Sequence, residues 1–253
     1  MRRLTPALIA LAALAALAGS GCGRGQQQAL ADVQSGLGAI KKGDLALRLT
    51  GGAGEEGGQD KDVGFEMKGP FDLSGPPGSL PVARLTLTRL LGATTRSVQF
   101  DSDGQKATVQ ADGRTVELTP EQAASLRLTK AKKANVAGLH LEGWAVGTPT
   151  QRRDGDAERF EADVDPVRVL NDVFGLAGQF GAGMGPIADQ DADRLREAVR
   201  SSHMTAAVGA SDNLLRDLDV EIVFSAADEA RRLLGALGAA RLHLSVRIDN
   251  PSR

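Results

Sequence analysis

The most regular feature of the chain is a two-residue alternation of apolar and polar positions near its C-terminus. Large apolar side chains occupy every second position over residues 218–224 and again over residues 242–248. Most of the intervening positions carry charged or hydrogen-bonding side chains. Because successive side chains of a strand point to opposite faces, this pattern predicts two strands with one apolar face and one hydrated face.

The same alternation recurs in short segments between residues 45 and 118. Two Asp-Gly dipeptides, at 103–104 and 112–113, separate such segments, and Asp-Gly is a strong signal for a tight hairpin. The glycine- and charge-rich stretch Gly51–Asp62 is predicted to be a loop. The pattern therefore indicates a meander of antiparallel strands. Two further strands are predicted over Val136–Gly147 and around Phe160–Val164.

Apolar residues at helical spacing predict several helices between these strands. Leu30, Val33, Leu37 and Ile40 define the first one. The segment Thr119-Pro-Glu-Gln has the pattern of a capping box and predicts a short helix to about Lys130. Other helices are predicted over residues 165–180, 191–201 and 225–234.

The helix predicted over residues 165–180 has an unusually wide apolar surface. Its apolar side chains cover well over half of the circumference, so the helix needs apolar contact on several sides. About ten half-buried strands also need a cover for their apolar face. Together these features predict an α+β fold in which a curved antiparallel sheet, a half-open barrel of about ten strands, wraps around a central apolar helix. Residues 29–250 are predicted to form one such domain.

The N-terminus has the pattern of a secretory signal. Arg2 and Arg3 precede an uncharged run, rich in alanine and leucine, that extends to Gly21. Its apolar core is too short to span a bilayer, which takes about 20 residues. The six residues that end at Cys22, Leu-Ala-Gly-Ser-Gly-Cys, resemble a lipobox, which implies cleavage before Cys22 and acylation of that cysteine.

These features divide the N-terminal region into a signal peptide, residues 1–21, and an acylated cysteine with a short tether, residues 22–28. Cys22 is the one cysteine of the chain, so it has no partner for an internal disulfide, and lipidation accounts for it. Gly19 stands where a lipobox usually has Leu, Val or Ile, and a cut after Ala18 remains the alternative. The prediction is an exported protein on the outer leaflet of the plasma membrane, or in the periplasm or outer membrane of a diderm host.

Composition and charge limit the classes of partner that the chain is expected to bind. Of 30 Lys+Arg residues, Arg2 and Arg3 lie in the leader, which leaves 28 against 32 Asp+Glu and a formal charge of −4. Binding of nucleic acid requires a concentrated basic surface, so no nucleic-acid partner is expected. The chain has no tyrosine, and its one tryptophan, Trp144, is predicted to fill the core or an interface.

No motif supports an enzyme, and none predicts a cofactor or a metal site. His140, His203 and His243 lie far apart without zinc-ligand spacing, and His243 falls on the polar face of its strand. Asp189, Asp191 and Asp193 begin like a calcium loop but lack its glycine and its final glutamate, so they are interpreted as charges at a helix N-terminus.

The chain resembles the group of envelope lipoproteins that comprises LolA, LolB and the mycobacterial proteins LppX, LprG and LprA. The resemblance extends from the first helix to Asn250, and it implies an apolar cavity between sheet and helices that holds acyl chains. It rests on patterns of period and turn rather than on an invariant signature. Its carriers are the lipobox at Cys22 and the segments 98–109, 116–120, 214–224 and 246–250.

The functional hypothesis is therefore a membrane-anchored lipoprotein that binds or carries the acyl chains of a lipid or lipoglycan in the cell envelope. A structural or regulatory lipoprotein that binds an envelope transporter or another protein partner, without lipid cargo, is the alternative. The candidate cavity residues lie on the helix of residues 165–180 and on the strand opposite: Val169, Leu170, Val173, Phe174, Leu218, Val220, Ile222 and Phe224.

Overall fold

The computed structural model describes residues 21–52, 63–92, 94–128, 139–179, 186–225, 228, 232, 234 and 241–253. The predicted signal peptide, except for Gly21, lies outside the described residues. So do most of the predicted loop Gly51–Asp62 and most of the predicted helix 225–234. Gly51 and Gly52 are not in a loop, because they end the first strand.

The helices, in chain order, are α1 (Gly21–Ala39), α2 (Pro120–Leu126), α3 (Leu141–Trp144), α4 (Pro166–Gln179) and α5 (Asp189–Ala198). The strands are β1 (Lys42–Gly52), β2 (Val63–Asp72), β3 (Val82–Leu91), β4 (Thr94–Asp103), β5 (Ala107–Ala111), β6 (Arg114–Glu117), β7 (Ala145–Asp154), β8 (Ala157–Val164), β9 (Val199–Gly209), β10 (Leu215–Phe224) and β11 (Arg241–Ser252).

All eleven strands belong to one antiparallel sheet, in the order β6-β5-β4-β3-β2-β1-β11-β10-β9-β8-β7. Two meanders, β1 to β6 and β7 to β11, are joined because the first strand pairs with the last, with Leu47 opposite Val246. The predicted large antiparallel sheet is thus present, with eleven strands in place of about ten. At the predicted hairpin between β5 and β6, Asp112 and Gly113 have φ of 50° and 74°, as a two-residue turn requires.

The apolar residues of the strands line one face of the sheet, which we call the inner face. One row of directly opposed residues crosses most of its width: Ala206, Leu218, Val246, Leu47, Met67, Leu87 and Val98. The first five expose 4% or less of their surface, whereas Leu87 and Val98 are half-buried. Burial of the inner face therefore decreases from β2 towards β3 and β4.

The helices cover this face unevenly. Helix α1 contacts α3 and the strands β7, β9 and β10, and α4 contacts α3 and α5. Their buried side chains belong to the same apolar cluster as those of β8 to β11 and of β1 and β2. Helix α2 packs at the other end of the sheet, where Ala123 belongs to a small separate apolar cluster with Leu80 and Ala107. The main core thus lies beneath the second meander and the first two strands.

The predicted starts and ends of the helices agree with the structure only in part. The capping box is confirmed, because the Thr119 side chain accepts from the Gln122 amide and the Gln122 side chain accepts from the Thr119 amide. Helix α2 ends at Leu126, before the predicted end at Lys130. Helix α1 begins at Gly21, so the backbone of the predicted tether, residues 22–28, is helical.

The strand predicted over Val136–Gly147 is wrong in its central part. Residues Leu141–Trp144 form the helical turn α3, and the strand begins only at Ala145. The reason is the buried Trp144, whose ring nitrogen bonds to Asp172 on α4, a contact that sequence periodicity does not contain. Of the helices that the structure describes, none combines the length and apolar character needed to cross a bilayer.

Helix α4 differs from the expectation that it needs apolar contact on several sides. Val167, Val169, Leu170, Val173 and Phe174 are buried, as predicted. Arg168 and Gly175, however, are exposed seven residues apart on the same side. Because two helical turns bring such positions into line, α4 presents a solvent-facing stripe and is not enclosed all round.

Candidate functional site

The eight side chains predicted to line a lipid cavity are all buried, and each exposes 6% or less of its surface. They belong to one continuous apolar cluster that joins α4 to β10. Such burial is expected of a filled core and equally of the wall of a closed cavity. The assignment of Val169, Leu170, Val173, Phe174, Leu218, Val220, Ile222 and Phe224 to a cavity therefore stays a prediction.

Polar contacts fix α4 against its neighbours. The Asp172 carboxylate accepts from Trp144 Nε1 at 2.8 Å and from the His140 amide at 2.7 Å, with His140 Nδ1 at 3.2 Å. Trp144 is 1% exposed, so the prediction that it fills the core is confirmed, and its one polar atom is satisfied. Asp172 joins α3 to α4, and no nucleophile lies in this set of contacts.

The start of α4 is held in the same way. Asp165 Oδ1 accepts from the Val167 amide at 2.9 Å, and Asp165 Oδ2 lies 3.1 Å from Arg196 on α5. The carboxylate thus occupies the N-terminal end of one helix and pairs with the last turn of the next, which are favourable positions for both charges. These contacts position the apolar face of α4 towards the core.

A second apolar surface lies on the inner face of β3 and β4. Leu85 opposes Phe100 and Leu87 opposes Val98, and all four are half-buried. We call these four residues the apolar strip. Leu85, Leu87 and Phe100 also contact the main core, so the strip continues the core sideways towards solvent. The alternation in these strands predicted an apolar face, but it carried no signal of how far that face is covered.

Two arginines lie on the same face between the apolar strip and the β3–β4 turn. Arg89 is directly opposite Arg96, and each lies two residues from Leu87 or Val98, on the same face of its strand. Both side chains are exposed. Among the described residues, no carboxylate lies within the 4.0 Å of an ion pair from either guanidinium. Sequence reasoning missed this pair, although equal spacing of Arg89 and Arg96 from a hairpin turn contains the signal.

The opposite, outer face of the sheet carries a polar depression of about 340 Å³. The residues that line it include the small residues Ala46 and Ser245 together with several charged residues. Those charges pair with one another: Arg247 lies 3.3 Å from Asp217, and Lys68 contacts Glu66. A set of charges already compensated within the sheet has little electrostatic preference for a charged ligand.

His243 on this outer face gives a pH-dependent contribution to stability. Its Nε2 lies 2.5 Å from Asp219 Oδ2, and this hydrogen bond raises the pKa of the imidazole, against the opposing effect of burial. The stabilisation is complete below the ordinary histidine pKa of about 6.5 and is lost as the pH rises through the raised pKa. We expect the thermal midpoint to fall over that interval. Asp219→Asn keeps the imidazole but removes the carboxylate that raises its pKa, so the thermal midpoint of this variant should fall less over the same pH interval. An equal fall in the variant and the wild type would contradict the role of Asp219.

The remaining candidate chemistry is sparse. Within the ranges that the structure describes, no three side chains of His, Cys, Asp or Glu come together as metal ligands. Asp189 and Asp191 lie in the first turn of α5, where their charges face the positive end of the helix dipole. The backbone of Cys22 is helical, and its predicted acylation stays a prediction.

Comparisons with known proteins add little beyond the fold. No family model matches the chain, and no curated protein matches it. Among solved structures, the crystal structure of LprF from Mycobacterium bovis is similar, with a TM-score of 0.47 and 10% identity over 90% of this chain and 93% of that one. A TM-score below 0.5 at this identity carries neither the ligand nor the function of LprF over to this chain.

Proposed function

We propose that this protein is a membrane-anchored envelope lipoprotein that binds acyl chains of a lipid or lipoglycan on the inner face of its sheet, without a catalytic step. The observation that supports it most directly is the uneven burial of that face. The row through Leu218 and Leu47 is closed, whereas Leu87 and Val98 in the same row are only half-buried. An apolar surface that continues a core and is only half-buried is suited to an apolar ligand.

The energetics favour an acyl chain as the ligand. Each methylene removed from water contributes about 0.8 kcal/mol, so a chain that buries only part of its length against the apolar strip still gains several kcal/mol. In this proposal the sheet curves around α4, and the strip extends the predicted cavity outwards. The eight buried residues of α4 and β10 then line the inner part of that cavity.

The N-terminus supports the location. A basic start, an apolar run and a cysteine that follows small residues are the features of an acylated export signal. Two or more acyl chains on Cys22 would make membrane attachment effectively permanent. A domain held at a membrane surface with a half-covered apolar strip lies where acyl chains are available.

The test is native mass spectrometry of the full chain purified from its own envelope, followed by titration with a fluorescent fatty acid. We expect co-purifying acyl species and saturable binding. Leu87→Asp should weaken binding at least tenfold, because a carboxylate would replace part of the strip. Thr88→Asp is the matched control, since Thr88 faces outward and bonds to Ser97. No acyl species in the purified protein, together with equal binding by both variants, would refute the proposal.

A protein partner without lipid cargo is the second candidate function, and one observation favours it. β6 is an edge strand, all four of its residues are exposed, and Val116 exposes 63% of its surface. An exposed edge can pair with a strand of another chain. In that case Val116→Lys should abolish binding of the partner protein and leave the amount of bound lipid unchanged. The lipid proposal expects no partner protein to be lost from this variant.

A further inference from the structure

We infer that Arg89 and Arg96 form a subsite for the phosphate headgroup of an amphiphile whose acyl chain lies along the apolar strip. This inference rests on the proposed function and deepens it, because it names the headgroup class and the orientation of the ligand. The occupant is a single phosphate-headed lipid.

The first support is the placement of the two guanidinium groups. Directly opposed residues of an antiparallel pair have Cβ atoms about 4.5–5.5 Å apart, and like charges at such positions are destabilising. Two other arginines of the sheet do have carboxylate partners: Arg84 lies 2.8 Å from Asp101 and Arg247 lies 3.3 Å from Asp217. Among the described residues, Arg89 and Arg96 have none within 4.0 Å. The hairpin thus concentrates two positive charges that the described part of the chain does not compensate.

The second support is the chemistry of the guanidinium group. Each guanidinium offers a planar fork of donors that binds two oxygen atoms at once. One fork already occupies both oxygens of a carboxylate, whereas a phosphate has further oxygens for a second fork. Arg114 lies on the same face, because it opposes Ala111, which in turn opposes Val98. A phosphate therefore matches the pair better than a carboxylate does.

The third support is the polarity gradient along the strands. From Arg89 the same face of β3 continues through Leu87 and Leu85 to Ala83, six residues or about 20 Å at 3.3 Å per residue. The arginines are exposed, the leucines are half-buried, and Ala83 is 6% exposed. An amphiphile fits this gradient in one direction only, with its charged end at the arginines and its chain towards the closed end.

A competing occupant comes from this chain itself. Segment 53–62, whose structure lies outside the described residues, connects β1 and β2 at the same end of the sheet. It contains Glu55, Glu56, Asp60 and Asp62 against Lys61 alone. Carboxylates pair with guanidinium groups as phosphates do. These acids could approach the arginines, and the experiment therefore includes a variant in which all four are neutral.

The experiment measures the binding of three probes to the full chain by calorimetry. They are 1-oleoyl lysophosphatidate, 1-oleoyl monoglyceride with the same chain but no phosphate, and glycerol phosphate with no chain. The two oleoyl probes are used below their critical micelle concentrations. We expect the wild type to bind lysophosphatidate at least tenfold more tightly than the monoglyceride, and glycerol phosphate only weakly. Arg89→Gln/Arg96→Gln should bring the ratio near one without changing affinity for the monoglyceride.

The controls separate charge, fold and site. Arg153→Gln/Arg194→Gln changes the net charge equally at exposed positions of β7 and α5, and it should keep the full ratio. Arg89→Lys/Arg96→Lys should keep part of the preference for lysophosphatidate over the monoglyceride. Removal of the opposed charges should raise the thermal midpoint of the Gln variant, which shows that its loss of selectivity is not a loss of fold.

Four results would overturn the inference. Equal binding of both oleoyl probes by the wild type refutes the phosphate subsite and leaves acyl binding intact, whereas binding of neither probe refutes the proposed function itself. Glycerol phosphate that binds as tightly as lysophosphatidate identifies a site for free phosphate. Selectivity that appears only in the Glu55→Gln/Glu56→Gln/Asp60→Asn/Asp62→Asn variant identifies the arginines as partners of that segment.

Discussion

Replacement of Leu170 by alanine is expected to lower the free energy of unfolding by about 2–5 kcal/mol, the range for a fully buried leucine. Leu170 on α4 is 0% exposed and lies in the main apolar cluster. The same change at Leu87 should cost about 1 kcal/mol, because its side chain is only half-buried and leaves no closed cavity. Denaturant unfolding of both variants, followed by far-ultraviolet circular dichroism, measures the difference.

Leu87→Ala should have the larger effect on acyl binding, although it has the smaller effect on stability. Leu87→Ala removes surface from the apolar strip and should weaken binding, whereas Leu170→Ala should act mainly on stability. Equal stability costs at the two positions would contradict the gradient of burial along the inner face. Ligand loss confined to Leu170→Ala would instead place the acyl chain in the predicted cavity beside α4.

The second expected result is that one substitution, glycine to alanine, has opposite effects in two helices. A Cβ atom at Gly36 in α1 would lie 1.9 Å from the backbone oxygen of Asn213, so α1 or the β9–β10 turn must shift. Overpacking of this kind costs about 1–3 kcal/mol. Gly175 in α4 is exposed and has nothing within 4 Å of an added Cβ, so alanine there should stabilise by up to about 1 kcal/mol.

Each of these two variants serves as the control for the other, since both place the same side chain within a helix. Thermal and denaturant unfolding give the sign directly. A stabilised Gly36→Ala protein would mean that α1 does not pack closely on the turn before β10. That contact is also indicated by the hydrogen bond from Asn213 Nδ2 to the Asp32 carbonyl at 3.3 Å.

Local pattern was sufficient for much of this fold. The alternation around Leu47 and Leu244 identifies strands because a sheet with one wet face imposes a period of two. The capping box at Thr119 and the turn at Asp112 are likewise encoded by neighbouring residues. Such features depend on contacts within a few positions, so they can be predicted from a single sequence.

Features that depend on distant residues could not be predicted in the same way. The helical turn at Trp144 depends on Asp172, 28 positions away. The uneven cover of the inner face depends on where α1 and α4 pack, so the period of Leu85 and Leu87 could not distinguish them from Leu47. For the candidate site, the eight core residues were identified as apolar and inward-facing, but Arg89 and Arg96 became a pair only through the register of β3 and β4.

The pairing of β1 with β11 also has a consequence for the order in which the chain can fold. β11 follows every other strand of the sheet in the sequence, so the seam between the two meanders closes only after β11 has left the ribosome. Until then, both β1 and β10 present unpaired edges that favour association with other chains. Contacts so distant in sequence also slow folding. A nascent chain therefore depends on the twelve-residue strand β11, and a chain truncated before this strand has two unpaired edges.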